Sequence, residues 1–233
     1  MTVSWVSYAD GYRHDLASLA EVAHEAGALF CVDAMQGLGA FPLDVGAIGA
    51  DAVYAGGAKW MLSLHGVAIL YLGERIQTRL QLVAPGWRSV EDMWDFHNYA
   101  QPYSPKAMRF ESGTPNLIGT LSLVSAVELF ERSGKEAIAA HVLGLTDRLC
   151  EGLHALGAEV CSPRGEGISS GIVTFKLPGR DSLEVGRALE EESILATYRP
   201  SGVRVSPHGY NSADEIDVCL RTLERIVRAK VMV

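Results

Sequence analysis

Lys59 is set apart from other charges, and the chemistry open to it depends on that isolation. It lies in the stretch AGGAKWMLSLHG, residues 55–66, and the nearest carboxylates in the sequence are Asp51 and Glu74. Burial lowers the pKa of an amine because desolvation disfavours the ammonium form. A neutral amine can attack a carbonyl carbon and form an imine. Lys59 is therefore a candidate for Schiff-base chemistry.

Asp33 is a second candidate, because it closes one apolar run while Lys59 follows another. The runs are ALFCVDA, residues 28–34, and ADAVYAGG, residues 50–57. In open parallel sheets ligands bind beyond the carboxyl ends of the strands, so both side chains are expected at one crevice. Two interpretations stay open on spacing alone. One is a structural ion pair or a lysine that extends to water; the other is a site for an aldehyde cofactor such as pyridoxal phosphate.

Alternating strand and helix patterns position these residues. The sequence predicts strands over 3–7, 28–34, 50–57 and 66–72, and a helix over 15–27 with Gly27 at its end. Near-continuous apolar runs are typical of strands covered on both faces. Short strand–helix–strand connections favour parallel pairing, so this part of the chain is predicted to be an α/β sheet flanked by helices.

The pattern breaks over residues 73–112, and the stretch 84–116 is rich in glycine, proline and aromatic residues. A long irregular segment in a compact domain is usually functional or lies at an interface. Its aromatic cluster has two interpretations, either packing in the core or a dimer interface, or part of a substrate pocket. The cluster consists of Trp87, Trp94, Phe96 and Tyr99.

The C-terminal part mixes long helices with short strands. Helices are predicted over 117–134, 135–157, 182–193 and 212–230, and strands over 170–177 and 202–206. Ser212 and Glu215 have the spacing of a capping box at the start of the last helix. We therefore predict two domains, an α/β domain over residues 1–130 and a smaller α+β domain over residues 131–233.

Composition excludes several classes of function. The net charge of −8 argues against nucleic acid and anionic membranes as partners. No apolar run approaches the roughly 20 residues that span a bilayer, and the N-terminus lacks the pattern of a signal peptide, so a cytoplasmic protein is predicted. The four cysteines form no CxxC pair and the seven histidines are scattered, so no metal site is expected.

Four motifs, in order along the chain, carry a resemblance to a known family. They are the run CVDAMQGLGAFPLDVGAIGADAVYAGGAKW (31–60), the pair GW (86–87), RFESGTPN (109–116) and VRVSPHGYN (203–211). Together they resemble the class V aminotransferase family of fold type I, which includes cysteine desulfurases and isopenicillin N epimerase-like proteins. The resemblance implies a large domain with a mostly parallel sheet, a small α+β domain, and pyridoxal 5'-phosphate as cofactor.

The resemblance also implies a role for individual residues. Lys59 matches the lysine that forms the imine with the cofactor and moves the substrate's α-proton. Asp33 matches the partner of the pyridine nitrogen, and Gln36 the residue that binds the phenolic oxygen. Thr114 matches a residue that reaches the phosphate from the neighbouring subunit, which implies a homodimer. Arg204 matches the arginine that binds the carboxylate of an amino-acid substrate, a role suited to its bidentate fork.

Structural alternatives exist for two of these residues. Gln36 could cap a helix, and Arg204 could be a surface charge on an edge strand. His97 and His208 match no functional position, and we expect surface or packing roles for them.

The sequence departs from the family pattern in two places. Many relatives have serine and histidine three and one positions before the lysine, where this chain has Gly56 and Ala58. The N-terminal third of the pattern, with its phosphate-binding helix and the residue that stacks on the pyridine ring, has no counterpart here. A non-catalytic remnant of the family is therefore an alternative to an active enzyme.

The absence of a cysteine near Arg204 indicates which branch of the family this chain resembles. The resemblance implies that the cysteine desulfurase branch needs a nucleophilic cysteine shortly before the carboxylate-binding arginine. In this chain no cysteine lies between Ile194 and Asn211. The sequence therefore favours an aminotransferase-type enzyme that acts on an amino acid. An epimerase or lyase of the same family remains open, because these reactions share proton removal from the α-carbon.

Overall fold

The computed structural model describes residues 1–77 and 79–229. Its first sheet has four strands in the order β1 (Thr2–Ser4), β2 (Cys31–Asp33), β3 (Ala52–Gly56) and β4 (Ala68–Leu72). β2 and β3 pair in parallel, with Asp33 opposite Tyr54. The predicted α/β class is confirmed, and the parallel pair brings the carboxyl ends of β2 and β3 to one edge.

β4 departs from the parallel pattern, because it pairs antiparallel with β3 and Gly56 lies opposite Ala68. The physical reason is the connection, which spans residues 57–67 and contains no helix. A parallel crossover needs a dozen or more residues, usually with a helix, whereas an antiparallel return needs only a turn.

The helix predicted over residues 15–27 is present, whereas the short helix at residues 74–77 was not predicted. α1 (Leu16–Glu25) buries Leu16, Ala20 and Ala23 on one face. It ends at Gly27, whose φ of +70° is a conformation that glycine adopts without strain, and the Ala28 N–H then bonds the Ala23 carbonyl. α2 (Glu74–Gln77) is a single turn.

The segment between α2 and α3 (Leu117–Ser133) is irregular, as predicted, apart from a 3₁₀ helix over Ala107–Phe110. Thr78, which falls within the predicted irregular segment, lies outside the described residues. Asn116 caps α3, because its Oδ1 accepts a hydrogen bond from the Gly119 N–H at 3.0 Å.

The second sheet has the strand order β5 (Glu159–Val160), β6 (Val173–Lys176), β8 (Gly202–Val205) and β7 (Thr197–Arg199), and its pairings are antiparallel. Helices α4 (Lys135–Ala155), α5 (Ser182–Glu191) and α6 (Ala213–Arg228) supply the rest of its core. Its largest fully buried side chains include those of Leu149, Leu153, Val173, Phe175, Val185, Leu189, Val203 and Leu223.

The predicted capping box of the last helix is present in the structure. The Ser212 hydroxyl accepts a hydrogen bond from the Glu215 N–H, and the Glu215 carboxylate accepts one from the Ser212 N–H at 2.7 Å. Lys230, where the predicted helix ends, lies outside the described residues.

Two compact units make up the described chain. The first comprises residues 1–3, 16–35 and 43–129, and the second comprises residues 4–15, 36–42 and 130 onward. The division into functional domains at residue 130 stays a prediction. No helix in the described part of the chain is long and apolar enough to cross a membrane.

Candidate functional site

Lys59 lies on a turn that follows β3, and backbone hydrogen bonds close this turn. The Gly57 N–H donates to the Val67 carbonyl at 2.8 Å, and the Ser63 N–H donates to the Gly57 carbonyl at 2.8 Å. The next residue, Trp60, is buried. The backbone at Lys59 is therefore fixed by its neighbours while its side chain stays outside.

The expectation that Lys59 is buried among apolar groups is wrong, because its side chain is exposed. The physical reason is that the residue sits in the turn beyond the strand, where the alternation of buried positions has ended. Lys59 forms no ion pair with any carboxylate among residues 1–77 and 79–229. The structural ion pair with Asp33 is thus excluded, and the amine reaches solvent.

Asp33 ends β2, the strand parallel to the one that leads to Lys59. Its Oδ1 accepts a hydrogen bond from the Met35 N–H at 2.9 Å, and its side chain is half-buried. Across the strand pair lies Tyr54, whose pKa is raised by burial and further by the charge of Asp33. The first unit therefore brings a partly desolvated carboxylate and an unpaired lysine to the same end of two adjacent parallel strands.

Gly56 stands where many relatives are expected to carry serine, and a larger residue there would contact the Met35 side chain. A Cβ at this position would lie 2.8 Å from Met35 Cε. The same holds at Gly57, where a Cβ would lie 2.9 Å from Val67 Cγ1. A side chain at position 56 would displace the flexible end of Met35, and with glycine there the chain lacks the serine hydroxyl that could bind an anion.

Thr114 is exposed on the loop that precedes α3. Two residues later, the Asn116 Nδ2 donates to the Gly66 carbonyl at 3.2 Å, which ties the start of α3 to the connection between β3 and β4. The Ser63 and Ser122 hydroxyls add a second link at 3.0 Å. The loop that carries Thr114 is thus anchored at one end while the threonine itself is free to contact another molecule.

Gln36 belongs to the second unit, where it lies in a turn and is only 9% exposed. No helix begins there, so the alternative of a helix cap is wrong. A buried amide needs hydrogen-bonding partners, and its position in a fixed turn gives it a defined orientation.

Arg204 also belongs to the second unit, and it lies on β8 between β6 and β7. The alternative of a surface charge on an edge strand is therefore wrong. Its Nη1 donates to the Tyr8 carbonyl at 2.6 Å and its Nη2 to the Thr197 Oγ1 at 3.3 Å, while its Nε is buried without a hydrogen-bond partner among the described residues. Burial lowers the pKa of Arg204, and the nearby Arg199 charge lowers it further. The orphaned Nε marks a guanidinium that can accept one more anionic partner.

Sequence reasoning missed Tyr8, Thr197 and Arg199, which line a small pocket with Arg204. The pocket has a volume of about 90 Å³, and Thr174 and Gly202 complete its floor. The sequence signal for this strand was Thr-Tyr-Arg at residues 197–199, where polar side chains alternate with an apolar one. Such alternation is typical of a strand with one buried face. Three residues are too few for that signal to stand out.

The aromatic residues of the irregular segment are on the surface of this chain. Trp94 is 68% exposed and Tyr99 is 98% exposed, so the interpretation of core packing is wrong. Trp87, Trp94 and Phe96 form a cluster with ring centroids 5.8 to 6.3 Å apart, beside a cavity of about 350 Å³. A dimer interface and a substrate pocket both stay open for this cluster.

The remaining candidates are cysteine and histidine side chains. No group of three or more metal-ligating side chains occurs within residues 1–77 and 79–229. Cys150 and Cys219 are buried, and burial raises the pKa of Cys219 to about 11. His208 stacks on Tyr210 with ring centroids 4.9 Å apart, in agreement with the expected packing role.

Comparison with known proteins places this arrangement in a family. The family model described as aminotransferase class-V matches residues 1–219. The protein named "Uncharacterized aminotransferase YcbU" from Bacillus subtilis (strain 168) is 30% identical over 214 residues, which cover 92% of this chain and 56% of that protein. A "Probable cysteine desulfurase" from Methanothermobacter thermautotrophicus is 30% identical over 97% of this chain and 60% of its own length.

A solved structure agrees with these relatives. The apo structure of cysteine desulfurase from Thermococcus onnurineus NA1 has a TM-score of 0.87 and 30% identity, over 97% of this chain and 59% of that one. The chain spans between 56% and 60% of the length of these three proteins. With the family model matched over nearly the whole sequence and the Asp33 and Lys59 motifs in place, the chain belongs to the class V aminotransferase family.

Proposed function

We propose that this chain provides the lysine, the carboxylate and the substrate-binding arginine of a pyridoxal-phosphate-dependent enzyme of aminotransferase type that acts on an amino acid. The observation that carries the proposal is Lys59, which is exposed, unpaired by any described carboxylate, and held on a hydrogen-bonded turn next to the strand that ends in Asp33. Ligand sites of parallel sheets lie at this end of the strands.

The residues present fit this cofactor in part. Lys59 would bind its aldehyde carbon, Asp33 its pyridine nitrogen and Gln36 its phenolic oxygen. Thr114, which is exposed on an anchored loop, would reach the phosphate of a neighbouring subunit, and a homodimer is part of the proposal. Gly56 and Ala58 carry no side-chain donor, so backbone N–H groups would bind the phosphate on this side.

When bound, the cofactor supplies an electron-withdrawing ring that stabilises negative charge at the substrate's α-carbon. Asp33 keeps that ring protonated, because a carboxylate favours the charged form of a neighbouring base. Lys59 takes the α-proton and returns it, a task that requires an amine free of an ion-pair partner. Arg204 holds the α-carboxylate with its bidentate fork and thereby orients the bond to the α-hydrogen.

The hairpin of β7 and β8 favours the aminotransferase branch over sulfur abstraction. Arg199 pairs with Gly202 in the β ladder, so only Pro200 and Ser201 form the loop between the strands. A nucleophilic cysteine on a longer loop before the arginine has no place in this hairpin, and residues 194–211 contain none. Several relatives carry the name cysteine desulfurase, and we do not extend that activity to this chain.

The substrate side of the proposal is tested in deuterated water. The purified chain with pyridoxal phosphate is incubated with a panel of amino acids, and each amino acid is followed by NMR and chiral chromatography. Loss of the α-proton signal together with a keto acid product identifies transamination, whereas a D-amino acid product identifies epimerisation. Lys59→Ala serves as the inactive partner, and Lys135→Ala, an exposed lysine at the start of α4, is the matched control. No exchange with any amino acid, equal to that of Lys59→Ala, would identify a non-catalytic member of the family.

A further inference from the structure

Two arginines share one face of the second sheet, and neither has an acidic partner among the described residues. Thr197 lies opposite Arg204 in the ladder, and Arg199 lies opposite Gly202, so Arg199 and Arg204 are diagonal neighbours on the same face of the β7–β8 hairpin. Diagonal neighbours in antiparallel pairs are roughly 7–8 Å apart, within reach of long side chains. Both line the pocket of about 90 Å³.

Tyr8 holds both guanidinium groups in place. Its backbone carbonyl accepts a hydrogen bond from Arg204 Nη1 at 2.6 Å, and its hydroxyl accepts one from Arg199 Nη1 at 3.2 Å. The Arg199 guanidinium also lies over the Tyr8 ring, 5.5 Å from its centroid. These contacts fix the direction of both arginines without neutralising either charge, because a carbonyl, a hydroxyl and an aromatic face are all neutral.

The two positive charges are uncompensated in the described part of the chain. Neither arginine forms an ion pair with a carboxylate of residues 1–77 or 79–229, and Arg204 Nε is buried without a hydrogen bond there. Two like charges on neighbouring strands repel each other, which destabilises the pair unless an anion lies between or beside them. The lowered pKa of Arg204, caused by burial and then by Arg199, agrees with this repulsion.

Gly202 keeps the surface between the two arginines open. A Cβ at this position would lie 2.9 Å from Thr174 Cγ2, and the residue has a φ of +149° that other residues rarely adopt. The resulting space is small, about 90 Å³. Two guanidinium groups and hydroxyl side chains line this space, a lining that suits carboxylate groups.

From this geometry we propose that Arg199 and Arg204 together select an acidic amino acid, with the α-carboxylate on Arg204 and the side-chain carboxylate on Arg199. The inference rests on the proposed function, because it takes Arg204 as the group that binds the α-carboxylate. Arg199 is then the residue that determines specificity, since a neutral amino acid would leave its charge unpaired at the pocket.

Direct binding tests the proposal without any turnover. Calorimetric titrations of the full chain, free of cofactor, compare L-glutamate with L-glutamine and L-aspartate with L-asparagine, pairs that differ in charge and hardly in shape. We expect the acid of at least one pair to bind about tenfold more tightly or better than its amide, as a charge-assisted hydrogen-bonded pair should provide. Arg199→Gln should remove that difference, and Arg204→Gln should weaken all four ligands.

Controls separate charge recognition from misfolding. Arg132→Gln removes an exposed arginine at the end of α3, outside this pocket, and should leave every affinity unchanged. Arg199→Lys should retain part of the preference for the acid. Equal affinities for acid and amide in both pairs, no detectable binding of any of the four, or a preference that survives in Arg199→Gln would overturn the proposal. Because no cofactor is present, these results are independent of whether Lys59 binds pyridoxal phosphate.

Discussion

Replacement of Asp51 by asparagine should destabilise the first unit, because this buried carboxylate joins three elements. Asp51 is only 3% exposed. Its Oδ2 accepts hydrogen bonds from the Phe30 N–H at 2.7 Å and from His24 Nε2 at 3.0 Å, and Arg75 Nε lies 3.3 Å from Oδ1. The carboxylate thus connects α1, the start of β2 and α2 at a position just before β3.

The expected loss in the free energy of unfolding depends on which hydrogen bonds an asparagine at position 51 can keep. Its amide oxygen can still accept the Phe30 N–H, but the interactions that depend on negative charge are lost. Hydrogen bonds to charged groups contribute about 1.5–3 kcal/mol each, and here solvent reduces the loss, because the Arg75 side chain is 46% exposed and that of His24 is 29% exposed. We expect Asp51→Asn to lower the free energy of unfolding by about 2–3 kcal/mol at pH 7.

The stability difference between the parent and Asp51→Asn should decrease as the pH is lowered. Burial alone would raise the pKa of Asp51, but the Phe30 N–H, His24 and Arg75 together outweigh it, and the pKa lies below its ordinary value. Stabilisation from a depressed carboxyl pKa is present above the unfolded-state value of about 3.9 and is lost as the pH falls through the folded-state value. The difference in stability between the parent and Asp51→Asn should therefore begin to shrink below about pH 4 and vanish only below the lowered folded-state pKa of Asp51.

Urea unfolding followed by far-UV circular dichroism, at pH 7 and at about pH 3, measures both effects. Asp44→Asn is the matched control, because Asp44 is an exposed turn residue that accepts the N–H groups of Gly46 and Ala47, and asparagine can do the same. It should change stability by less than about 0.5 kcal/mol. A loss below about 0.5 kcal/mol for Asp51→Asn at pH 7, or a loss that is unchanged at pH 3, would refute the reasoning.

Three further predictions concern the second unit. Gly186→Ala should destabilise this unit by about 1–3 kcal/mol in the same urea titration, because the added Cβ would lie 2.0 Å from Tyr198 Cγ. The control Gly144→Ala adds a Cβ with nothing within 4 Å of it, and it should stabilise α4 by up to about 1 kcal/mol. Ser212→Ala removes a capping box and should cost about 1 kcal/mol by thermal unfolding. Cys219, with its pKa raised by burial to about 11, should remain unreactive towards a thiol reagent at pH 8 until urea unfolds the chain.

The elements that carry Asp33 and Lys59 could be predicted from sequence, because apolar runs with clear stops leave few alternatives. The apolar runs over 28–34 and 50–57 predicted the strands that form the parallel pair β2 and β3. The capping box at Ser212 followed from two residues at fixed spacing. In each case the sequence signal lies within a short stretch, and the structure formed by that stretch matches it.

Features that depend on distant contacts could not be predicted in this way. The exposure of Lys59 depends on where β3 stops, and the apolar composition of its neighbours suggested burial instead. The pocket around Arg204 depends on Tyr8, which is 196 residues away in the chain. β5 and β7 have two and three residues, which is too short for a period to be recognised.

The central claim is that Lys59 is the lysine that binds the cofactor. Its most direct test is an absorption spectrum of the purified full chain with added pyridoxal phosphate, recorded beside Lys59→Ala and the control Lys135→Ala. We expect the visible band of lysine-bound cofactor in the parent and in Lys135→Ala, and its loss in Lys59→Ala. A band that persists in Lys59→Ala, or no band in the parent, would contradict it.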